Sequence, residues 1–188
     1  LRYTDEQTLE VVVNILCGLI NKYLVKKFLD FGIKKVVGLS CIDGNIIVTD
    51  INKDLGFVGR NVKNVNLDII NLLLKNGYLI LLSSVGMGKK NKKNFIVNIN
   101  ADDVVYAIGG KLKFDKIIFL SDVEGIMDKN KNVIKILNIK DIENLINQGI
   151  VSNGMIPKVL AIKKLLKKGM KKIVISNSLD KEATIIKI

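Results

Sequence analysis

Two continuous apolar runs limit what this chain can fold into: Tyr78 to Ser83, and Lys116-Ile-Ile-Phe-Leu120. Each has the length of a strand and points apolar side chains to both faces, so neither suits a sheet that shows one face to water. Helices must cover both sides, and the rest of the chain supplies them in alternation. Thr4-Asp5-Glu6-Gln7 reads as a Thr-x-x-Gln capping box, opening a helix with apolar residues at Leu9, Val12, Val13, Leu16, Ile20 and Leu24 that runs to about Asp30 and stops near Gly32. A strand (Lys35 to Leu39), a turn at Asp43-Gly44 and a second strand (Asn45 to Thr49) read as a hairpin, and Leu55 to Gly59 opens another extended segment. A short helix from Leu67 to Leu74 closes at Asn76-Gly77, and Gly86 to Asn94 reads as a basic, glycine-containing loop. Phe95-Ile96-Val97 is a short strand before a helical segment from Ala101 to about Leu112. Beyond Leu120 come a small strand (Val133 to Leu137), a helix (about Lys140 to Gln148), a turn at Ser152-Asn153-Gly154, a helix from Met155 to Lys168 and a strand from Lys172 to Ser176. This order predicts an α/β protein, a three-layer α/β/α sandwich around a largely parallel sheet made mixed by the hairpin.

The chain has 188 residues, 48% of them hydrophobic, enough to build the core of one domain. It contains no histidine, which removes Ser-His-Asp chemistry and His-based metal sites, so any catalysis falls to Asp, Glu, Lys and Arg. Cys17 and Cys41 have no metal spacing and make no disulfide framework, so a reducing, cytoplasmic compartment is the simplest expectation. No metal site is expected. The net charge of +12 would suit a polyanion, but after Arg2 and Arg60 are subtracted 28 of the 30 basic residues are lysines, accompanied by abundant Asn and Ile. That trio is what AT-rich codons produce, and 5% aromatics is little for stacking on bases, so no nucleic acid is expected as partner. Uninterrupted apolar runs fall short of the roughly 20 residues that span a bilayer, so no membrane partner is expected either.

Candidate chemistry concentrates at Asn98-Ile99-Asn100-Ala101-Asp102-Asp103, where a strand gives way to a helix. Asn100 is placed as N-cap, with Asp103 in the capping-box position. Asn98 and Asp102 are not needed for the cap, yet they sit beside a helix N-terminus, where backbone N–H groups and the dipole favour anions. Gly154-Met155-Ile156-Pro157-Lys158 holds the only proline, at the first turn of a helix, and fixes Lys158 as a point charge suited to phosphate. In so lysine-biased a chain, Arg2 at a helix entrance suggests bidentate carboxylate recognition. Gly86-Met87-Gly88-Lys89 lacks the spacing of a phosphate loop, and most lysines between Lys163 and Lys172 lie off the apolar stripe of their helix.

Six segments taken together resemble the N-acetylglutamate kinases of the amino-acid-kinase superfamily: residues 1–12, Val-Gly-Leu-Ser (37–40) with Asp43-Gly44, Leu-Gly-Phe-Val-Gly (55–59), Asn-Ile-Asn-Ala-Asp (98–102), Ser-Asp-Val-Glu-Gly-Ile (121–126) and Gly-Met-Ile-Pro-Lys-Val (154–159). They occur in the family's order and span nearly the whole chain. The resemblance implies the amino-acid-kinase fold and transfer of the γ-phosphoryl group of ATP, as its Mg2+ complex, to the side-chain carboxylate of N-acetyl-L-glutamate in arginine biosynthesis. It implies that Arg2 and Asn98 hold the acetylamino acid, that Lys158 stabilises the transferring phosphoryl group and that Asp102 organises the catalytic lysines. Asp122, Val123, Gly125 and Met155 would line the nucleotide pocket, and the enzyme would form a homodimer or higher homo-oligomer. Residues 1 to about 95 would form the acceptor-binding part and about 96–188 the nucleotide-binding part of one domain. Phosphoryl transfer to a carboxylate needs positioning and positive charge more than a covalent nucleophile or a general base, which agrees with a chain that has no histidine.

Family members carry, upstream of the Leu-Arg segment, a strand ending in Lys-Leu-Gly-Gly and another ending in a His-Gly-Gly-Gly-type loop. Neither is in this sequence, so the N-terminal strands of the fold and a second catalytic lysine are expected to be missing from it, as in a fragment or a reduced form. Two other readings stand beside the first: the sister kinase of lysine biosynthesis, acting on carrier-protein-bound aminoadipate, and a noncatalytic remnant of the fold.

Overall fold

The computed structural model describes residues 3–52, 54–112, 114–151 and 155–187. The chain divides into two compact units, Leu1–Ala107 and Ile108–Ile188, where the sequence draws a line near residue 95.

The first unit opens on a long helix, α1 (Glu6–Asp30). Its N-cap is Asp5, whose carboxylate accepts from the Thr8 N–H at 2.8 Å, one residue later than the sequence suggests. Thr4 is engaged elsewhere, its N–H donating to the Leu55 carbonyl at 2.9 Å and its carbonyl accepting from the Phe57 N–H at 2.7 Å. The helix ends in a Schellman pattern, with Gly32 at φ +85 and the Ile33 N–H on the Phe28 carbonyl. Between Val13 and Ile20 it is wound as a π-helix, which the apolar spacing did not announce. By length and composition α1, with mean hydropathy 1.5, is apolar enough to cross a membrane. Its apolar residues are interspersed with charged ones, so it is long and apolar enough as a helix without containing an uninterrupted apolar run. Here α1 lies on a sheet: the Lys22 Nζ donates to the Gly38 carbonyl at 2.9 Å and buried Asn21 bonds to two strands.

Those strands are β1 (Val36–Ser40) and, later in the chain, Leu79–Ser83, paired in parallel. The expected hairpin does not form. Asp43 caps the end of β1, its carboxylate accepting from the Ser40 N–H (2.7 Å) and hydroxyl (3.0 Å), and a 3-10 turn at Asp43–Asn45 redirects the chain into another sheet. There β2 (Ile47–Ile51) pairs antiparallel with β3 (Gly59–Val65). The register slips twice, at Val48/Thr49 and Thr49/Asp50, so β3 is bulged. After α2 (Asp68–Lys75) and β4 (the Leu79–Ser83 strand), β5 (Val85–Lys90) joins β2 in parallel, and β6 (Lys93–Asn98) folds back on it. The supposed basic loop at Gly86 to Asn94 is therefore a hairpin, turning on Asn91 and Lys92 at φ 49 and 62. The strand order is β3-β2-β5-β6. Helix α3 (Ala101–Gly109) follows β6.

The second unit sets β7 (Ile117–Leu120), β8 (Ile136–Asn138), β9 (Ile173–Ser176) and β10 (Thr184–Lys187) in the order β7-β9-β10-β8. The β9–β10 pair is antiparallel and its neighbours are parallel. Two helices, α4 (Ile142–Asn147) and α5 (Met155–Lys167), complete it. Ile162, Leu165 and Leu166 of α5 are fully buried, as are Ile173, Ile175 and Ile186 of the sheet. The predicted α/β class stands, with more antiparallel pairing than the apolar runs suggest.

Candidate active site

In the first unit three separate segments meet beside the end of β6. The Asn98 N–H donates to the Phe57 carbonyl at 2.9 Å, and its side-chain Nδ2 reaches the Thr4 hydroxyl at 3.5 Å, the long limit of a hydrogen bond. Thr4 in turn bridges to Gly56. Only glycine fits at 56: φ is +72, and a Cβ there would stand 2.3 Å from the Thr4 carbonyl oxygen. The Leu-Gly-Phe-Val-Gly segment, Thr4 and Asn98 therefore form one patch of backbone. Arg2, two residues before Thr4, lies outside the described residues, as does the turn at 152–154 with Gly154.

From Asn98 the chain crosses buried Ile99 to the start of α3. The Asn100 carboxamide oxygen accepts from the Asp102 N–H at 2.8 Å, and the Asn100 carbonyl from the Val104 N–H at 3.1 Å. Asn100 is thus the cap, as its position suggests, and it engages the backbone N–H of Asp102. Asn98 and Asp102, both half-buried, flank this cap.

In the second unit β7 runs into Ser121-Asp122-Val123-Glu124-Gly125, and the segment is held down at its far end: the Ile126 N–H donates to the buried Thr184 hydroxyl at 2.9 Å. Beside it is a cavity of about 530 Å³, lined among others by Val123, Gly125, Lys129, Gln148, Ile150 and Met155. Three of the four residues expected around the nucleotide line it. Asp122 does not; it is exposed and accepts from the Ser121 hydroxyl at 3.1 Å. The stretch from Gln148 to Val151, which closes α4, also lines the cavity and went unread, because a short glycine turn after a helix looks like a connector. Lys158, in the second turn of α5, places its Nζ 5.0 Å from the centre of the Phe119 ring.

The cysteines stay outside this chemistry. Burial pushes the Cys41 thiol up to about 12 and raises that of Cys17, so neither is a ready thiolate. Among the described residues no group of three or more His, Cys, Asp or Glu side chains is placed to hold a metal ion.

A family model described as the Amino acid kinase family matches residues 1–177. The chain belongs to the amino acid kinase family. Within that family it is similar to the acetylglutamate kinase of Clostridioides difficile, 39% identical over 178 residues, covering 92% of this chain and 60% of that protein. It is also similar to the acetylglutamate kinase of Methanopyrus kandleri, 36% identical over 188 residues, covering 94% of this chain and 74% of that protein. The chain thus spans about 60 to 74% of the length of these relatives. Among solved structures it resembles smu.665 from Streptococcus mutans, with TM-score 0.86 and 27% identity, over 100% of this chain and 74% of that one.

Proposed function

We propose that the protein phosphorylates the side-chain carboxylate of N-acetyl-L-glutamate with Mg-ATP, giving N-acetylglutamyl 5-phosphate. The observation that carries this reading is that relatives matching over more than nine-tenths of the chain, at 36 to 40% identity, are named acetylglutamate kinase. The chemistry of the chain supports it. An ionised carboxylate attacks without a general base, so a phosphoryl-transfer site needs cations, aligned N–H donors and exclusion of water, none of which requires histidine or a reactive thiol.

In this reading Arg2 and Asn98 hold the acetylamino acid, the fork of Arg2 taking a carboxylate and the amide of Asn98 a polar group of the substrate. Asp102, beside the N-terminus of α3, orients catalytic lysines. Lys158 neutralises charge that develops on the transferring phosphoryl group. The second unit's cavity, with Val123, Gly125 and Met155 in its wall, has room for the nucleoside, and Asp122 is the exposed residue next to Val123 in sequence. ATP supplies the phosphoryl group and Mg2+ screens its oxygens when bound. The reaction is assigned to the cytoplasm, as a step of arginine biosynthesis. Exposed Val11, Ile15, Leu19 and Tyr23, spaced along one side of α1, support association of two or more copies through that helix.

A coupled assay of ADP release by the full-length protein, offered acetylglutamate and carrier-bound aminoadipate in parallel, tests the acceptor. Turnover with acetylglutamate alone is expected. Turnover with only the aminoadipate conjugate would overturn the assignment.

A further inference from the structure

Lys158 does not stand alone at the mouth of α5. The ring beneath its ammonium group belongs to Phe119, in the middle of β7, which is only 4% exposed and therefore fixed by the core. Neither residue lines the cavity, but each lies a few residues along the chain from one that does. Phe119 is four residues before Val123 on the strand that leads into the wall, and Lys158 is three residues, nearly one helical turn, after Met155. A lysine side chain has four rotatable bonds and no planar fork, so its charge is easily misplaced. An aromatic face within about 6 Å attracts an ammonium through the ring's quadrupole. Unlike a carboxylate, it does so without neutralising the charge, so the cation can still meet a phosphate.

We propose that Phe119 is a positioning residue: its buried ring holds the Lys158 ammonium at the height and direction from which it reaches the transferring phosphoryl group. The proposal rests on the phosphoryl-contacting role of Lys158. The sequence gives Phe119 only as one apolar residue of a buried strand; its relation to Lys158 depends on how α5 packs over β7.

The test is steady-state kinetics on the full-length protein with position 119 occupied by phenylalanine analogues carrying one, three and five ring fluorines, which weaken the quadrupole while keeping the shape. The turnover number is expected to fall stepwise, by about 2- to 30-fold at full fluorination, the range a cation–ring contact spans. KM for ATP and the melting temperature should stay within experimental scatter, which a purely structural role of the ring would not predict. Phe119→Leu should lower turnover by a similar factor in the parent and have no further effect on a Lys158→Ala background. A flat response to fluorination, with Lys158→Ala still collapsing turnover, would overturn the positioning role alone. If Lys158→Ala left turnover intact, the role of Lys158 itself would fall, and this proposal with it.

Discussion

Single residues carry most of the information that the sequence withholds. Thr49 reads as an ordinary strand residue, yet it is fully buried and its hydroxyl has no hydrogen-bond partner among the described residues. A buried polar group without a partner costs stability, so Thr49→Val should raise the unfolding free energy by about 1 kcal/mol. Urea unfolding measures this directly, and a loss of stability would mean that the hydroxyl has a partner in the working protein. The same contrast separates the candidate site residues. Asn98 and Asp102 were legible as candidates because a strand-to-helix turn with two amides and two acids is overfurnished for a cap. Phe119 was not, because an aromatic residue inside an apolar run looks like core whatever lies above it. The capping box was misplaced by one residue for a similar reason: Thr4 has the chemistry of a cap, but its backbone is spent on Gly56 and its neighbours, and Asp5 takes the role.

At the level of elements, most helices and strands were readable from periodicity, but their pairing was not, nor was the burial of β4: it was expected to be fully buried, yet it has no buried residue and Leu79 is exposed. The turn at Asp43-Gly44 has hairpin residues on both sides, yet the 3-10 turn sends β1 to β4 and β2 to β3 and β5. The partners β4 and β5 lie more than 30 residues further along the chain, and no local rule sees them. The docking of α1 has a comparable hidden determinant. Asn21 donates to the Leu39 and Leu81 carbonyls and to the Ser83 hydroxyl, and Ser83 donates to the Leu16 carbonyl within the π-helical stretch. This close approach is possible because residue 38 is glycine: a Cβ there would stand 1.8 Å from the Asn21 carboxamide oxygen. Gly38→Ala should therefore destabilise the protein by about 3 kcal/mol, combining overpacking with a broken buried network. On an Asn21→Ala background the cost should shrink, because the two residues are coupled through one contact. Equal costs in both backgrounds, read from denaturant midpoints, would refute the coupling.

For the molecule as a whole, composition narrowed the chemistry before any fold was in view. A chain without histidine has to act through lysine, arginine and carboxylates, and phosphoryl transfer to an ionised acid is a reaction those groups can carry. The α/β class followed from the apolar runs and their alternation with helices, whereas the number of antiparallel pairs did not, since β5 and the start of β6 lie in the stretch Gly86 to Asn94 that read as a loop, and the bulged β3 was read only at its opening. The first unit holds the candidate residues Asn98 and Asp102, and the second holds the cavity and, on α5, Lys158. The central claim is that the acceptor is a carboxylate, and an acyl phosphate can be trapped. Incubating the full-length protein with Mg-ATP, N-acetyl-L-glutamate and hydroxylamine should yield one equivalent of the hydroxamate for each ADP released. ADP released with no hydroxamate would show that the phosphoryl group goes to another acceptor, and would contradict the account.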